Sequence, residues 1–290
     1  MVILLADVFA PDLPARLKSF GDVVTEPGRV SEAEVIIVRS KTKVDKAMID
    51  AAPKLKYVIR GGVGVDTIDV DYAKSRGIAV DNTPEASSLA VAELAFALMI
   101  AMPNHIAEAD SSMKQGKWLK KELERTELGG KTLGLVGIGR IARELALRAK
   151  AFGMKVIAYD KYVRSADEAA MTSLDGLLAD SDYISLHTPL TDETRGMIDS
   201  AAIAKMRKGA YLINTCRGPV VKAEDVAAAL REGRLGGYAA DVYDKEPPEG
   251  SPLLSAPRVL LTPHLGASTE ENLLRLGDCI VDRMRKYGSK

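Results

Sequence analysis

The sequence predicts an α/β protein made of two doubly wound parallel sheets, with a cleft between the two domains. Short apolar runs alternate with helical patterns along most of the 290 residues, which is typical of parallel sheets. A second series of this kind begins at Thr132, after a polar stretch at residues 105–125. The chain is also long enough for two hydrophobic cores. We therefore expect one domain in residues 1–95, completed by residues 266–290, and another in residues 96–265.

The individual elements follow from the same alternation of apolar runs and helical periodicity. In the first series, strands are expected at residues 2–6, 35–38, 57–60 and 78–80, and helices at residues 13–19, 46–52, 70–75 and 87–102. In the second, strands are expected at residues 132–136, 155–159, 183–186, 211–214, 237–240 and 259–261. Its helices are expected at residues 141–152, 173–178, 200–206 and 223–232, and a last amphipathic helix at residues 268–286.

Composition and charge argue against several classes of protein. Basic and acidic residues number 40 each, so no net charge favours nucleic acid or a membrane surface. The most apolar stretch, residues 89–102, contains Glu93 and is too short to cross a bilayer. The chain begins without a basic segment and reaches Asp7 early, which indicates a strand and not a signal peptide. Cys216 and Cys279 form no disulfide or metal pattern, so we expect a cytoplasmic protein without a metal.

A glycine-rich segment lies between the strand at residues 132–136 and the helix that follows it. Gly137 permits a tight turn there, and Gly139 lets the backbone approach a pyrophosphate. Ala142 takes the third position, where a small side chain allows the helix and the strand to pack closely. The free N–H groups at the start of the helix would bind the phosphates. The segment therefore predicts a dinucleotide site of the Rossmann type.

The choice of dinucleotide depends on Asp160, at the end of the next strand. A carboxylate at this position hydrogen-bonds the ribose hydroxyls and repels a 2′-phosphate, which favours NAD over NADP. Lys161 and Arg164 weaken this inference, because nearby cations can accept a phosphate.

Three side chains suited to 2-keto acid reduction follow the ends of consecutive strands. Arg217 offers a planar fork for a carboxylate, His264 can donate a proton, and Glu246 can orient the imidazole. The carboxyl ends of parallel strands form the ligand-binding edge of such a sheet. Taken singly, Arg217 could be a surface charge, Glu246 a turn residue and His264 a loop histidine. Their shared placement favours a catalytic set.

The remaining candidates are weaker. His187 also follows a strand and is expected to line the adenosine pocket, whereas His105 is expected to be solvated. Cys216 could be a nucleophile, but no histidine base adjoins it in the sequence.

These segments together resemble the D-isomer-specific 2-hydroxyacid dehydrogenase family, over nearly the whole chain. The matching segments are residues 37–40, 60–66, 82–84, 116–118, 187–189, the glycine loop, the three catalytic segments and, most specifically, PHLGASTEE at residues 263–271. The resemblance implies Arg217, Glu246 and His264 as the catalytic residues. In addition to Gly137, Gly139 and His187, it implies cofactor contacts at Thr83, Arg140, Ile141, Asp160, Thr188, Thr215, Cys216, Asp241, Gly266 and Ala267, with Asp241 at the nicotinamide amide.

The resemblance also implies a substrate site and a homodimer that pairs through residues 87–125. The turn Gly61, Gly62, Val63, Gly64 would offer N–H groups to the substrate carboxylate. Independently of the resemblance, Arg60 and the pair Lys120 and Lys121 could neutralise a phosphate, and a solvated basic face is the alternative. The leading substrate is 3-phosphoglycerate, and a glyoxylate or hydroxypyruvate reductase is the alternative enzyme. An NAD-sensing protein of the corepressor kind is the alternative from another class. The chain ends at Lys290, where many phosphate-specific members carry a serine-binding regulatory domain, so we expect none here.

Overall fold

A computed structural model describes residues 1–288 and confirms the α/β class with two parallel sheets. The chain divides into two compact units. Unit 1 contains residues 1–90 and the C-terminal segment from residue 267, and unit 2 contains residues 91–266. The changes of unit therefore lie within five residues of the boundaries expected from the sequence.

Unit 1 contains a five-stranded parallel sheet with the order β2-β1-β3-β4-β5. The strands are β1 (Val2–Leu5), β2 (Asp22–Val24), β3 (Val35–Val38), β4 (Tyr57–Arg60) and β5 (Ala79–Asn82). Strand β3 is buried over its whole length, as expected for a central strand covered on both faces. This strand order is that of flavodoxin-like folds.

Helices cover both faces of this sheet. They are α1 (Leu13–Leu17), α2 (Lys46–Asp50), α3 (Val70–Ser75) and the C-terminal α10 (Glu270–Gly288). The Asp45 carboxylate caps α2 by accepting the Met48 N–H at 3.0 Å. Helix α10 buries Leu276, Ile280 and Met284 at a spacing of four residues, and Ile280 and Met284 pack in one cluster with β1 and α1. The C-terminal segment therefore belongs to the core of unit 1.

Unit 2 contains a seven-stranded parallel sheet with the order β12-β11-β10-β9-β6-β7-β8. The strands are β6 (Thr132–Val136), β7 (Lys155–Tyr159), β8 (Ala170–Met171), β9 (Tyr183–Leu186), β10 (Ala210–Asn214), β11 (Leu235–Ala240) and β12 (Val259–Leu261). The helices are α4 (Ser88–Ala101, which begins in unit 1), α5 (Ile106–Lys114), α6 (Arg140–Ala151), α7 (Leu174–Asp180), α8 (Ser200–Lys205) and α9 (Ala223–Arg231). The order reverses at β6, and dinucleotides bind at such a switch point.

Helix α4 is mainly a core element. Ala92, Ala95, Phe96 and Met99 pack against the strands of unit 2. Across residues 1–288, none of the single helices is long and apolar enough to span a membrane. The bent pair α4 and α5, with 64° between its helices, passes that test by length and composition alone.

Three elements lack a sequence signal strong enough to predict them. Strand β2 has three residues and β8 has two, which is too short for a readable alternation. Helix α5 is largely polar and exposed, so its sequence resembles that of a loop.

Candidate active site

The three candidate catalytic side chains follow three neighbouring strands of unit 2. Arg217 follows β10, Glu246 lies in the loop after β11, and His264 follows β12. These strands pair in parallel in the order β12-β11-β10, so their carboxyl ends share one edge. The fold therefore brings the three loops together, as the sequence predicts.

Glu246 and His264 are in direct contact. Glu246 Oε2 lies 2.7 Å from His264 Nδ1, and each side chain keeps about 40% of its surface exposed. Glu246 Oε1 accepts the Tyr243 N–H at 3.2 Å, which ties the carboxylate to its own loop. Because Nδ1 is occupied, Nε2 is the ring nitrogen that can exchange a proton with a ligand.

The backbone at His264 has φ = +55°, a left-handed conformation that few non-glycine residues adopt. Asp241 holds the surrounding segment in place. Its Oδ1 accepts from the Thr262 hydroxyl at 2.6 Å and the Leu265 N–H at 2.7 Å, and its Oδ2 accepts the Gly266 N–H at 2.8 Å. Asp241 is 2% exposed, so this buried carboxylate fixes the loop on both sides of the histidine.

The Asn214 side chain fixes the conformation of the turn that carries Arg217 through two hydrogen bonds to its backbone. The Asn214 side chain accepts the Cys216 N–H at 3.1 Å and donates to the Arg217 carbonyl at 2.9 Å. Gly218 then packs so tightly that a Cβ at this position would overlap the peptide between Tyr243 and Asp244. The Arg217 turn and the Glu246 loop therefore touch through a residue that must be glycine.

The glycine loop has the geometry that the sequence predicts. Gly137 has φ = +92°, and a Cβ there would lie 2.7 Å from the His187 carbonyl oxygen. A Cβ on Gly139 would meet nothing within 4 Å, so the protein itself does not require glycine there. Gly139 is the N-cap of α6 and supplies no side-chain cap, which leaves the N–H groups of Arg140 and Ile141 pointing out of the helix start. This arrangement suits a pyrophosphate.

The Asp160 carboxylate lies beside the glycine loop and also holds its backbone in place. Its Oδ2 accepts the Ile138 N–H at 3.0 Å, and its Oδ1 accepts the N–H groups of Tyr162 and Val163 at 2.8 and 3.0 Å. Partial burial raises the pKa of the Asp160 carboxyl, but these three hydrogen bonds outweigh it and the pKa is lowered. The side chain is therefore an anion that braces the turn, a structural role that the motif alone does not reveal.

Further polar groups lie at the ends of β9 and β10. The Thr215 hydroxyl is buried and has no hydrogen-bond partner within the part of the chain that the structure describes, as expected for a group that meets a ligand. Thr188 follows His187, whose Nε2 lies 2.9 Å from the Ser185 hydroxyl. Burial lowers the pKa of His187 to about 4, so its ring is neutral at pH 7.

Cys216 is a poor nucleophile in this setting. Its thiol donates to Asn214 Oδ1 at 3.2 Å, and burial raises its pKa. These features, together with the glycine loop, the Asp160 anion and the buried Thr215 hydroxyl, fit a dinucleotide and not a thiol-based site.

Unit 1 contains the turn predicted to bind the substrate carboxylate. The Gly61 N–H donates to the Val38 carbonyl at 2.8 Å and the Gly62 N–H to Thr83 Oγ1 at 2.8 Å, so these two amides are already bonded. The expectation that the whole turn offers its amides is therefore corrected to Val63 and Gly64. Thr83 is fully buried and supports this turn.

The other predicted positions are spread over both units. Arg60 folds over the same turn and donates to the Gly61 carbonyl at 2.9 Å. Ala267 begins the C-terminal segment of unit 1, and its carbonyl accepts from Asn272 Nδ2 at 2.7 Å. Lys120 lies in unit 2, exposed, in the connection between α5 and β6.

Comparison with known proteins defines the class. Residues 96–266 match the model of the D-isomer specific 2-hydroxyacid dehydrogenase, NAD binding domain. The chain belongs to this family. D-3-phosphoglycerate dehydrogenase of Methanocaldococcus jannaschii is 40% identical over 98% of this chain, which spans only 57% of the length of that relative.

Two other relatives indicate the range of the family. Hydroxypyruvate reductase of Thermotoga maritima is 46% identical, over 89% of this chain and 85% of that protein. The crystal structure of D-lactate dehydrogenase from Aquifex aeolicus, complexed with NAD and lactic acid, has 31% identity and a TM-score of 0.87, and the match covers 99% of this chain and 95% of that one.

Proposed function

We propose that this protein is an NAD-dependent dehydrogenase of small D-2-hydroxy acids. The observation that carries the proposal is the contact between Glu246 and His264, at a sheet edge that also carries Arg217. A carboxylate, an imidazole with one free nitrogen and a guanidinium are the groups that this reaction requires of a protein. Bound NAD would supply the hydride acceptor.

His264 exchanges the proton of the substrate hydroxyl through Nε2. In the oxidising direction the neutral imidazole removes this proton, and in the reducing direction the imidazolium returns it to the carbonyl oxygen. Glu246 holds Nδ1, which fixes the tautomer and stabilises the imidazolium. Asp241 keeps the histidine loop in place while the proton moves.

Arg217, in unit 2, binds the substrate carboxylate. In unit 1, the amides of Val63 and Gly64 remain the groups predicted to bind a carboxylate. A guanidinium binds a carboxylate through two parallel hydrogen bonds, which sets the orientation of the hydroxyl-bearing carbon. The glycine loop and the start of α6 bind the pyrophosphate, and Asp160 binds the adenosine ribose and favours NAD over NADP. The buried Thr215 hydroxyl supports a cofactor contact at the end of β10.

The leading substrate is D-3-phosphoglycerate, oxidised to 3-phosphohydroxypyruvate. The relative from Methanocaldococcus jannaschii and the cations Arg60 and Lys120 support this choice, since a phosphate needs cationic partners. The relative from Thermotoga maritima supports reduction of hydroxypyruvate or glyoxylate as the alternative. Turnover on a panel of phosphohydroxypyruvate, hydroxypyruvate, glyoxylate and pyruvate tests both. An absence of turnover on all four would favour an NAD-sensing binding protein.

We also propose a homodimer, with a contact surface shifted from the one that the sequence suggests. Most of α4 packs inside its own unit, so it offers little surface to a partner. The large apolar side chains exposed in this region are Leu89, Ile106, Met113 and Trp118; Leu89 is 37% exposed and Trp118 is 74% exposed. A patch of this kind favours pairing of two copies. Light scattering at micromolar concentration should give twice the mass of one chain. In Trp118→Lys, the measured mass should shift toward that of the monomer.

A further inference from the structure

An ion pair joins the segments that follow β7 and β9. Lys161 follows Asp160 at the end of β7, and Glu193 lies in the loop after β9. The Lys161 Nζ lies 2.5 Å from both carboxylate oxygens of Glu193. Strands β7 and β9 flank β6 on its two sides, and β6 ends in the glycine loop. The pair therefore joins the loops on either side of the proposed dinucleotide site.

A second ion pair, between Arg143 and Glu168, neutralises another cation close to Asp160. Arg143, on α6, lies 2.5 Å from Glu168 Oε2, and its charge contributes to lowering the pKa of the Asp160 carboxyl after the effects of burial and the backbone hydrogen bonds. Lys161 and Arg143 are thus each matched by a carboxylate. Of the three basic residues that the sequence places near Asp160, namely Arg143, Lys161 and Arg164, the first two therefore add no net charge beside the adenosine ribose position.

We propose that Glu193 is a specificity-determining residue, which keeps Lys161 from binding the 2′-phosphate of NADP. The inference rests on the cofactor site proposed above. A lysine directly after the ribose-binding acid would attract a 2′-phosphate, which carries close to two negative charges. With Glu193 bound to it, the lysine contributes no net charge, and the carboxylate adds repulsion. Glu193 therefore extends the discrimination that Asp160 begins.

The exposure of the Lys161–Glu193 pair sets the size of the expected change in NADP affinity. The side chains are 51% and 64% exposed, so the pair adds little to folding stability and its charges act through water. Removing one charge about 5–7 Å from a dianion changes affinity roughly three- to tenfold under such conditions. NAD carries no 2′-phosphate, so its affinity should hardly change.

The test is equilibrium binding by calorimetry to the whole chain, with NAD, NADP, 5′-AMP and adenosine 2′,5′-bisphosphate as probes. Glu193→Gln should tighten NADP and the bisphosphate roughly three- to tenfold and change NAD and 5′-AMP less than twofold. In the double variant Glu193→Gln with Lys161→Gln, this gain in affinity for NADP and the bisphosphate should disappear. The control is Asp175→Asn, which breaks an ion pair with Lys205 of similar exposure (67% and 51%), in which neither residue adjoins Asp160 in the sequence.

Three results would overturn the proposal. The first is an unchanged affinity for NADP in Glu193→Gln, and the second is an equal change for NAD and NADP. The third is a gain that survives Lys161→Gln. If the unmodified protein binds none of the four probes, the proposed cofactor site is itself wrong, and this outcome is distinct from binding that is equal in all the variants.

Discussion

Glu246 Oε2 lies 2.7 Å from His264 Nδ1, so the imidazole is oriented by one carboxylate and keeps Nε2 for the substrate. We predict that His264→Ala lowers kcat by ~10²–10⁴, because general acid–base help of this kind has that magnitude. The dissociation constant of NAD should change less than threefold, since the imidazole acts on the substrate and not on the dinucleotide. Absorbance of NADH and calorimetric titration measure the two quantities.

Glu246→Gln is the companion variant. It keeps an oxygen near Nδ1 but removes the charge that stabilises the imidazolium, so kcat should also fall with NAD binding preserved. Turnover that is unaltered in His264→Ala would remove the histidine from the mechanism. Turnover that is unaltered in Glu246→Gln alone would limit the carboxylate to holding the ring.

The contact of Gly218 with the Glu246 loop gives a second prediction. A Cβ at Gly218 would overlap the peptide between Tyr243 and Asp244, so Gly218→Ala must displace either the Arg217 turn or the Glu246 loop. We expect a loss of stability of about 1–3 kcal/mol, as for other overpacked sites, and a fall in kcat/KM. Gly129→Ala is the control, because its added Cβ would have Phe152 O at 3.9 Å as its nearest neighbour. Equal behaviour of the two variants would contradict the tight packing.

The sequence correctly predicts which residues lie at the carboxyl edge of the unit 2 sheet, because the patterns that indicate them are local. Each proposed catalytic residue follows a short apolar run, and the glycine spacing defines the turn before α6. A residue's place beyond a strand end depends only on the strand itself and on the parallel arrangement, which alternating elements imply. The same reasoning identifies Asp160 by its position after β7.

The supporting contacts could not be predicted in this way. Asp241 and Gly266 are 25 residues apart, Lys161 and Glu193 are 32 apart, and each contact depends on strand order and backbone conformation. The left-handed backbone of His264 is a second example, because no glycine marks it in the sequence. The N–H groups of Gly61 and Gly62 were expected to face a ligand, but the pairing of β3, β4 and β5 brings acceptors to them.

Burial of His187 predicts a pH dependence of stability. Its folded pKa is lowered to about 4, whereas an unfolded histidine titrates near 6.5. Between these values the unfolded chain binds the extra proton, so this contribution is fully present above about pH 6.5 and is lost as the pH falls toward 4. Between pH 6.5 and 5 the loss is about 2 kcal/mol.

Denaturant unfolding at several pH values measures this dependence. His187→Gln should flatten the part of the curve between pH 6.5 and 5, whatever its effect on stability at pH 8. His105→Gln is the matched control, because His105 is a histidine of the same exposure class that bonds the Glu124 carbonyl and lies away from the end of β9. A curve that keeps its slope in His187→Gln would show that other groups cause the acid sensitivity.

The last prediction concerns the phosphate of the leading substrate. Arg60 lies over the turn proposed to bind the substrate carboxylate and donates to the Gly61 carbonyl, so its guanidinium is beside the ligand position. Arg60→Ala should raise KM for phosphohydroxypyruvate about ten- to a hundredfold, the effect of one lost charge-assisted hydrogen bond, and should change KM for glyoxylate much less. Lys56→Ala is the control, since Lys56 precedes β4 at the amino end of the strand that Arg60 completes. An equal rise for both substrates would assign Arg60 to the carboxylate or to the fold, and a preference of the unmodified enzyme for glyoxylate would favour the reductase instead.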